Sequence, residues 1–136
     1  MADITQLEQD LANDERVADI PIYQKNGAQY TAADGTPSTI GVTGSDAKRY
    51  RAEKHAIQRE MLAQRRSRLE PEDITRNRIR QASAAVSRWH GWESAGKPLD
   101  CTTPNARALL KIEHILEQVE AGIDGHGSFF VNNSPS

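Results

Sequence analysis

Between residues 103 and 123 the chain carries its most demanding pattern: Leu109, Leu110, Ile112, Ile115, Leu116, Val119 and Ile123 recur at short, mostly helical intervals. Side chains spaced in this way fall on one face of an α-helix, and a face this wide has to be covered. The spacing predicts a helix over residues 103–122, opened by Thr103-Pro104, because a hydroxyl can accept an orphan amide hydrogen and proline suits the first helical turn. The cover must come from the rest of the chain. With 136 residues there is room for one compact domain, and only 37% of them are hydrophobic and 5% aromatic. Much of that apolar content is alanine, which adds little transfer energy, so a thin core is expected and self-association would supplement it.

The other elements follow from punctuation. Ile20-Pro21-Ile22-Tyr23, Ala28-Gln29-Tyr30-Thr31 and Thr39-Ile40-Gly41-Val42-Thr43 are divided by Asn26-Gly27 and Asp34-Gly35, dipeptides that tolerate positive φ in tight turns. Two or three short strands of a small antiparallel sheet are expected over residues 17–43. Gly44-Ser45-Asp46 then offers side-chain caps for a helix over residues 45–68, with Tyr50, Lys54, Ile57 and Met61 as its single packing stripe. Pro71, with Glu72 and Asp73 behind it, opens a second helix over residues 71–90, whose stripe is Ile79, Ala82, Val86 and Trp89. Gly91 ends it. Residues 91–100 form an ordered loop that tucks tryptophan inward. Ile4, Leu7 and Leu11 mark a short amphipathic helix within residues 1–16, and residues 131–136 are expected to be a flexible tail. The expected class is therefore α+β and predominantly helical: a small antiparallel β-sheet near the N-terminus and a three-helix core, in one domain over residues 17–130.

Composition narrows the function. No run of about 18 apolar residues exists, and residues 1–14 are acidic where a secretory signal would be basic and then apolar, so a cytoplasmic protein is expected. One cysteine, Cys101, excludes an intramolecular disulfide. With His55, His90, His114 and His126 it makes no zinc-ligand spacing, and no metal or cofactor is expected. Neither a serine elbow, a paired-carboxylate motif nor a phosphate loop is present, so the chain does not read as an enzyme. Cys101 before a helix start and His90 beside Gly91 are read as incidental loop and cap residues.

The net charge is -2, yet Lys48 to Arg88 holds twelve Lys and Arg against five Asp and Glu, leaving acidic ends around a basic middle. Phosphate binding needs those cations on one face, whereas Arg49, Arg51, Lys54, Arg59, Arg65 and Arg66 fall on several sides of a helix among Glu53 and Glu60. A solvated helix is the simpler meaning. A small nucleic-acid-binding regulator stands as the second reading.

The order of pieces completes the picture. Gly41-Val42-Thr43-Gly44-Ser45-Asp46, a Tyr50-Arg51 helix, Val86-x-x-Trp89-x-Gly91-Trp92, Thr103-Pro104-Asn105-Ala106-Arg107-x-Leu109 and Ile112-x-x-Ile115-x-x-Gln118-Val119-x-x-x-Ile123 with Phe129 follow one another. Over residues 17–130 this resembles the tail assembly chaperones of long-tailed bacteriophages. The resemblance implies a non-enzymatic protein of the host cytoplasm, absent from the mature virion. It would keep the helical tape measure protein soluble, as a homo-oligomer, until tail tube protein subunits displace it. Partner contacts would then be made by Tyr50, Ile57 and Met61 on the first long helix, by Trp92, and by Phe129 and Phe130 near the C-terminus. A minor structural or connector protein of the virion is a third reading.

Overall fold

The computed structural model describes residues 3–5, 15–64 and 70–126. The expected N-terminal helix, apart from residues 3–5 and 15–16, lies outside these, as do residues 65–69, Phe129, Phe130 and the tail. The described chain is α+β and mostly helical, as the pattern predicts. Strand β1 (Ala18–Pro21) and strand β2 (Thr39–Val42) pair antiparallel, with Ala18 opposite Val42 and Pro21 opposite Thr39. Between them the chain makes the two expected turns. Gly27 and Gly35 take φ of 89° and 85°, and the side chains of Asn26 and Asp34 each accept a backbone amide two residues on.

Helix α1 (Lys48–Gln64) starts later than Ser45 or Asp46 would place it, and the Lys48 amide donates to Glu15 Oε1 at 2.7 Å. Helix α2 (Pro71–Ala85) begins at the expected proline. It ends sooner than expected. Residues Val86–His90 form strand β3, antiparallel to β2, so the sheet order is β1-β2-β3 and the third strand comes from outside residues 17–43. Val86 and Trp89 are three apart, a spacing that suits a helix, and that local signal loses to the open edge of β2. A strand there takes up backbone groups of β2 that would otherwise lack partners.

The loop after β3 contains a two-residue hairpin turn between β4 (Glu93–Ser94) and β5 (Lys97–Pro98), with Ala95 and Gly96 both at positive φ. It draws both tryptophans inward. The Trp89 indole donates to the Leu99 carbonyl at 2.7 Å, and the Trp92 indole to the Thr39 carbonyl at 3.0 Å.

The expected helix over residues 103–122 is two helices, α3 (Thr103–Leu110) and α4 (Glu113–Asp124). Thr102, rather than Thr103, caps α3 by accepting the Asn105 amide. At the break Ile112 is extended, with φ of -79° and ψ of 110°, and it is 44% exposed although the apolar pattern assigns it inward. The bend lets Leu110 on α3 and Ile115, Leu116, Val119 and Ile123 on α4 reach one core with Ile20, Ile22, Ile40 and Val42. A straight helix would carry one of those groups away from the sheet.

One crossing fixes the sheet. Asp19, Gly41 and Arg88 stand side by side on the three strands. Arg88 reaches over the glycine to grip Asp19 with two hydrogen bonds of 2.9 and 2.7 Å. A Cβ at position 41 would lie 2.8 Å from both Asp19 Oδ1 and Arg88 Cγ, and 2.7 Å from Val17 Cγ1, so only glycine leaves room for this bridge. The Arg88 hydrogen bond, outweighing a small desolvation, holds the Asp19 carboxyl below its ordinary value of 3.8.

Gly41→Ala should therefore lower stability by about 1–3 kcal/mol, read from the midpoint of denaturant unfolding, because the crowded groups have to move. Asp19 binds its proton less readily folded than unfolded, so its contribution is complete above the ordinary carboxyl value and is lost as pH falls through the depressed one. The difference in melting temperature between the wild type and Asp19→Asn should accordingly shrink between about pH 6 and about pH 2.

Candidate functional site

Helix α2 is the hub of the helical layer. Residues two apart on a helix point about 200° away from each other, and Arg78 and Arg80 use that divergence. Arg78 donates to Glu120 at 2.6 and 3.1 Å and to Glu113 at 3.1 Å, clamping α4. Arg80 pairs with Glu53 and Glu60, clamping α1. The bonds to Glu120 and then Glu113 raise the Arg78 pKa further above its ordinary range, and the Arg80 bond to Glu60 holds that carboxyl low.

Helices α1 and α3 both pack on α2, and a cleft of about 910 Å³ opens beside them. Pro71, Thr75 and Ile79 line it from α2, four residues apart and hence on one face, with Ile79 sunk to 9% exposure. Glu53 lines it from α1, Arg107 from α3 and Lys111 from the turn that follows. A smaller hollow of about 280 Å³ shares Glu53, Arg80 and Arg107 with the cleft and prolongs it toward Arg49 and Thr103. The result is a trough with an apolar patch on its floor and charged walls. A helix about 10 Å across, rising about 1.5 Å per residue, fills roughly 120 Å³ per residue. The larger cleft alone matches roughly two turns.

The charges of the walls are unequal in their freedom. Arg76 is paired with Asp73 at 2.5 Å, and Arg80 with its two glutamates. Among the described residues Arg49, Arg107 and Lys111 form no ion pair.

Of the partner contacts expected from the sequence, Tyr50, Ile57, Met61 and Trp92 lie outside the trough. Tyr50 is half-buried against the core; its phenol is pushed up by burial, with Asp124 adding to the effect. Ile57 is the buried residue of α1, at 6% exposure, and Met61 is half-buried. Trp92 is half-buried, with its indole hydrogen bonded inside the fold and its ring 5.5 Å from that of Tyr30. Tyr30 in turn bonds His114 at 2.6 Å, tying the turn-rich segment to α4. Phe129 and Phe130 lie outside the described residues. The four-residue steps Pro71-Thr75-Ile79 and Thr103-Arg107-Lys111 are visible in the sequence, but nothing in it places Thr75, Arg107 and Lys111 on one surface.

Cys101 is exposed, and partial desolvation raises its thiol, with Arg49 acting weakly against this. His90 is a strand residue bonded to the Thr36 hydroxyl at 2.7 Å, not a helix cap. Among the described residues no group of three or more His, Cys, Asp or Glu could hold a metal ion, and no helix is long and apolar enough to cross a membrane. Comparison with protein-family models, curated proteins and solved structures gives no match.

If each arginine of α2 holds one neighbour, their removal should loosen different helices. In Arg80→Ala the amides of α1 should exchange with solvent faster while those of α4 keep their protection, and Arg78→Ala should do the reverse. Hydrogen exchange resolved by peptide or residue reads the difference.

Proposed function

We propose that the chain is a holder of helical segments, and that it serves as a phage tail assembly chaperone for the tape measure protein. The observation that carries this reading is the trough between α1 and α3. Its volume and mixed lining suit an amphipathic helix laid in a groove, a recurrent way of recognising helical partners. The resemblance in the order of sequence pieces supports the identity of the client.

The mechanism needs no bond to be made or broken. A long tape measure helix exposes apolar stripes that would otherwise associate with one another, and covering them keeps it soluble. Each copy contributes a shallow contact, so many copies on one client hold it firmly by multivalency, while each copy leaves readily. That balance suits displacement by tail tube protein as it polymerises. An open trough releases its occupant sideways. Homo-oligomerisation along the client would follow from the spacing of its stripes. Work in the host cytoplasm and exclusion from the finished particle belong to the same reading.

Co-expression with the tape measure protein of the same genome tests it. The wild type should raise the soluble fraction of the client and co-purify with it. Thr75→Trp, which fills the trough from an exposed position, should lower co-purification about tenfold, the effect of roughly 1.4 kcal/mol of lost contact. An unchanged client and no complex with the wild type would defeat the proposal.

A further inference from the structure

We infer that the trough selects helices whose apolar stripe is flanked by carboxylates, and that Arg107 and Lys111 read that flank. This rests on the trough being a client groove and adds the chemistry of the client. Arg107 and Lys111 are four residues apart, an axial step of about 6 Å in helical geometry. Carboxylates at i and i+4 on a bound helix have the same step. Both cations are exposed, and among the described residues neither forms an ion pair, so they are available to a ligand. Arg49 extends this charge along the smaller hollow. Arg76 and Arg80, by contrast, are already engaged with carboxylates of the chain itself.

Two other occupants fit less well. A nucleic-acid backbone entering the trough would leave its apolar floor without an apolar partner. A second copy would have to offer an acidic amphipathic helix, and α4 is the most acidic of the described helices. Its apolar residues Ile115, Leu116, Val119 and Ile123 are buried in its own core, and Glu113 and Glu120 are held by Arg78. The acidic sequence of residues 1–14, with Ile4, Leu7 and Leu11, has the chemistry to compete from a second copy, which a change of oligomeric mass would reveal; the larger trough, open along its length to a longer partner, favours a helix of another protein.

The test uses the full-length protein and two synthetic peptides of about 18 residues, long enough to hold helical structure. They share one leucine stripe and differ only in carrying glutamate or lysine at the flanking i and i+4 positions. Fluorescence anisotropy should show the glutamate peptide binding at least about tenfold more tightly than the lysine peptide, with the advantage falling in high salt. Arg107→Glu combined with Lys111→Glu should abolish or invert that preference. Both sites are exposed, and unchanged circular dichroism would verify the fold. Equal binding of the two peptides, or a preference indifferent to the double reversal, overturns the inference. So does duplex DNA binding that the reversal removes while the glutamate peptide stays unbound, or a reversal that changes the oligomeric mass and not peptide binding. Tape measure protein retained undiminished by the double variant would refute the charge-reading while leaving the chaperone reading intact. Glutamate-peptide selectivity without tape measure binding would do the opposite.

Discussion

The helical layer depends on two arginines that leave α2 in nearly opposite directions. Arg78 takes two carboxylates of α4, and Arg80 takes two of α1, so a single helix positions both neighbours. Each of these ions is partly exposed, and exposed pairs in isolation add little stability. Their value here is geometric. A planar guanidinium that binds two carboxylates restricts the angle and register of the helix supplying them. With α1 held on one side and α3 packed separately, the face of α2 carrying Pro71 and Thr75 stays open above the buried Ile79, and this opening is the trough.

The sheet obeys a similar rule of placement. α2 passes into β3 without a loop, so the position of the helix and the position of the third strand are coupled through Ala85 and Val86. The Ala85 carbonyl accepts the Thr43 amide at 2.9 Å, joining that corner to the end of β2. One step further along, the Asp19–Arg88 bridge spans the central strand over Gly41. These contacts also consume charge from the basic middle. Arg76, Arg78, Arg80 and Arg88 are all ion-paired, so part of the charge of that middle is balanced by carboxylates of the chain itself.

Local chemistry made much of the fold legible. Asn26-Gly27 and Asp34-Gly35 locate their turns, Pro71 marks a helix start, and the apolar intervals from Leu109 onward identify the largest contribution to the core. Two elements depart from the local pattern where tertiary demands override it. Val86 and Trp89 have helical spacing but complete a sheet, and the break at Ile112 has neither proline nor glycine to announce it. The trough was harder to see because it belongs to no single segment. It depends on the distance between α1 and α3, which no periodicity encodes, whereas the stripe of Tyr50, Ile57 and Met61 was visible and lies largely against the protein itself.

In the proposed function a client helix lies on the open face of α2, between α1 and α3. Amide chemical-shift mapping on the labelled full-length protein during titration with soluble tape measure fragments tests it most directly. The largest changes should cluster at Thr75, Ile79, Arg80, Arg107 and Lys111. Changes centred on Tyr30, Trp92 and His114, with the trough amides unmoved, would contradict it.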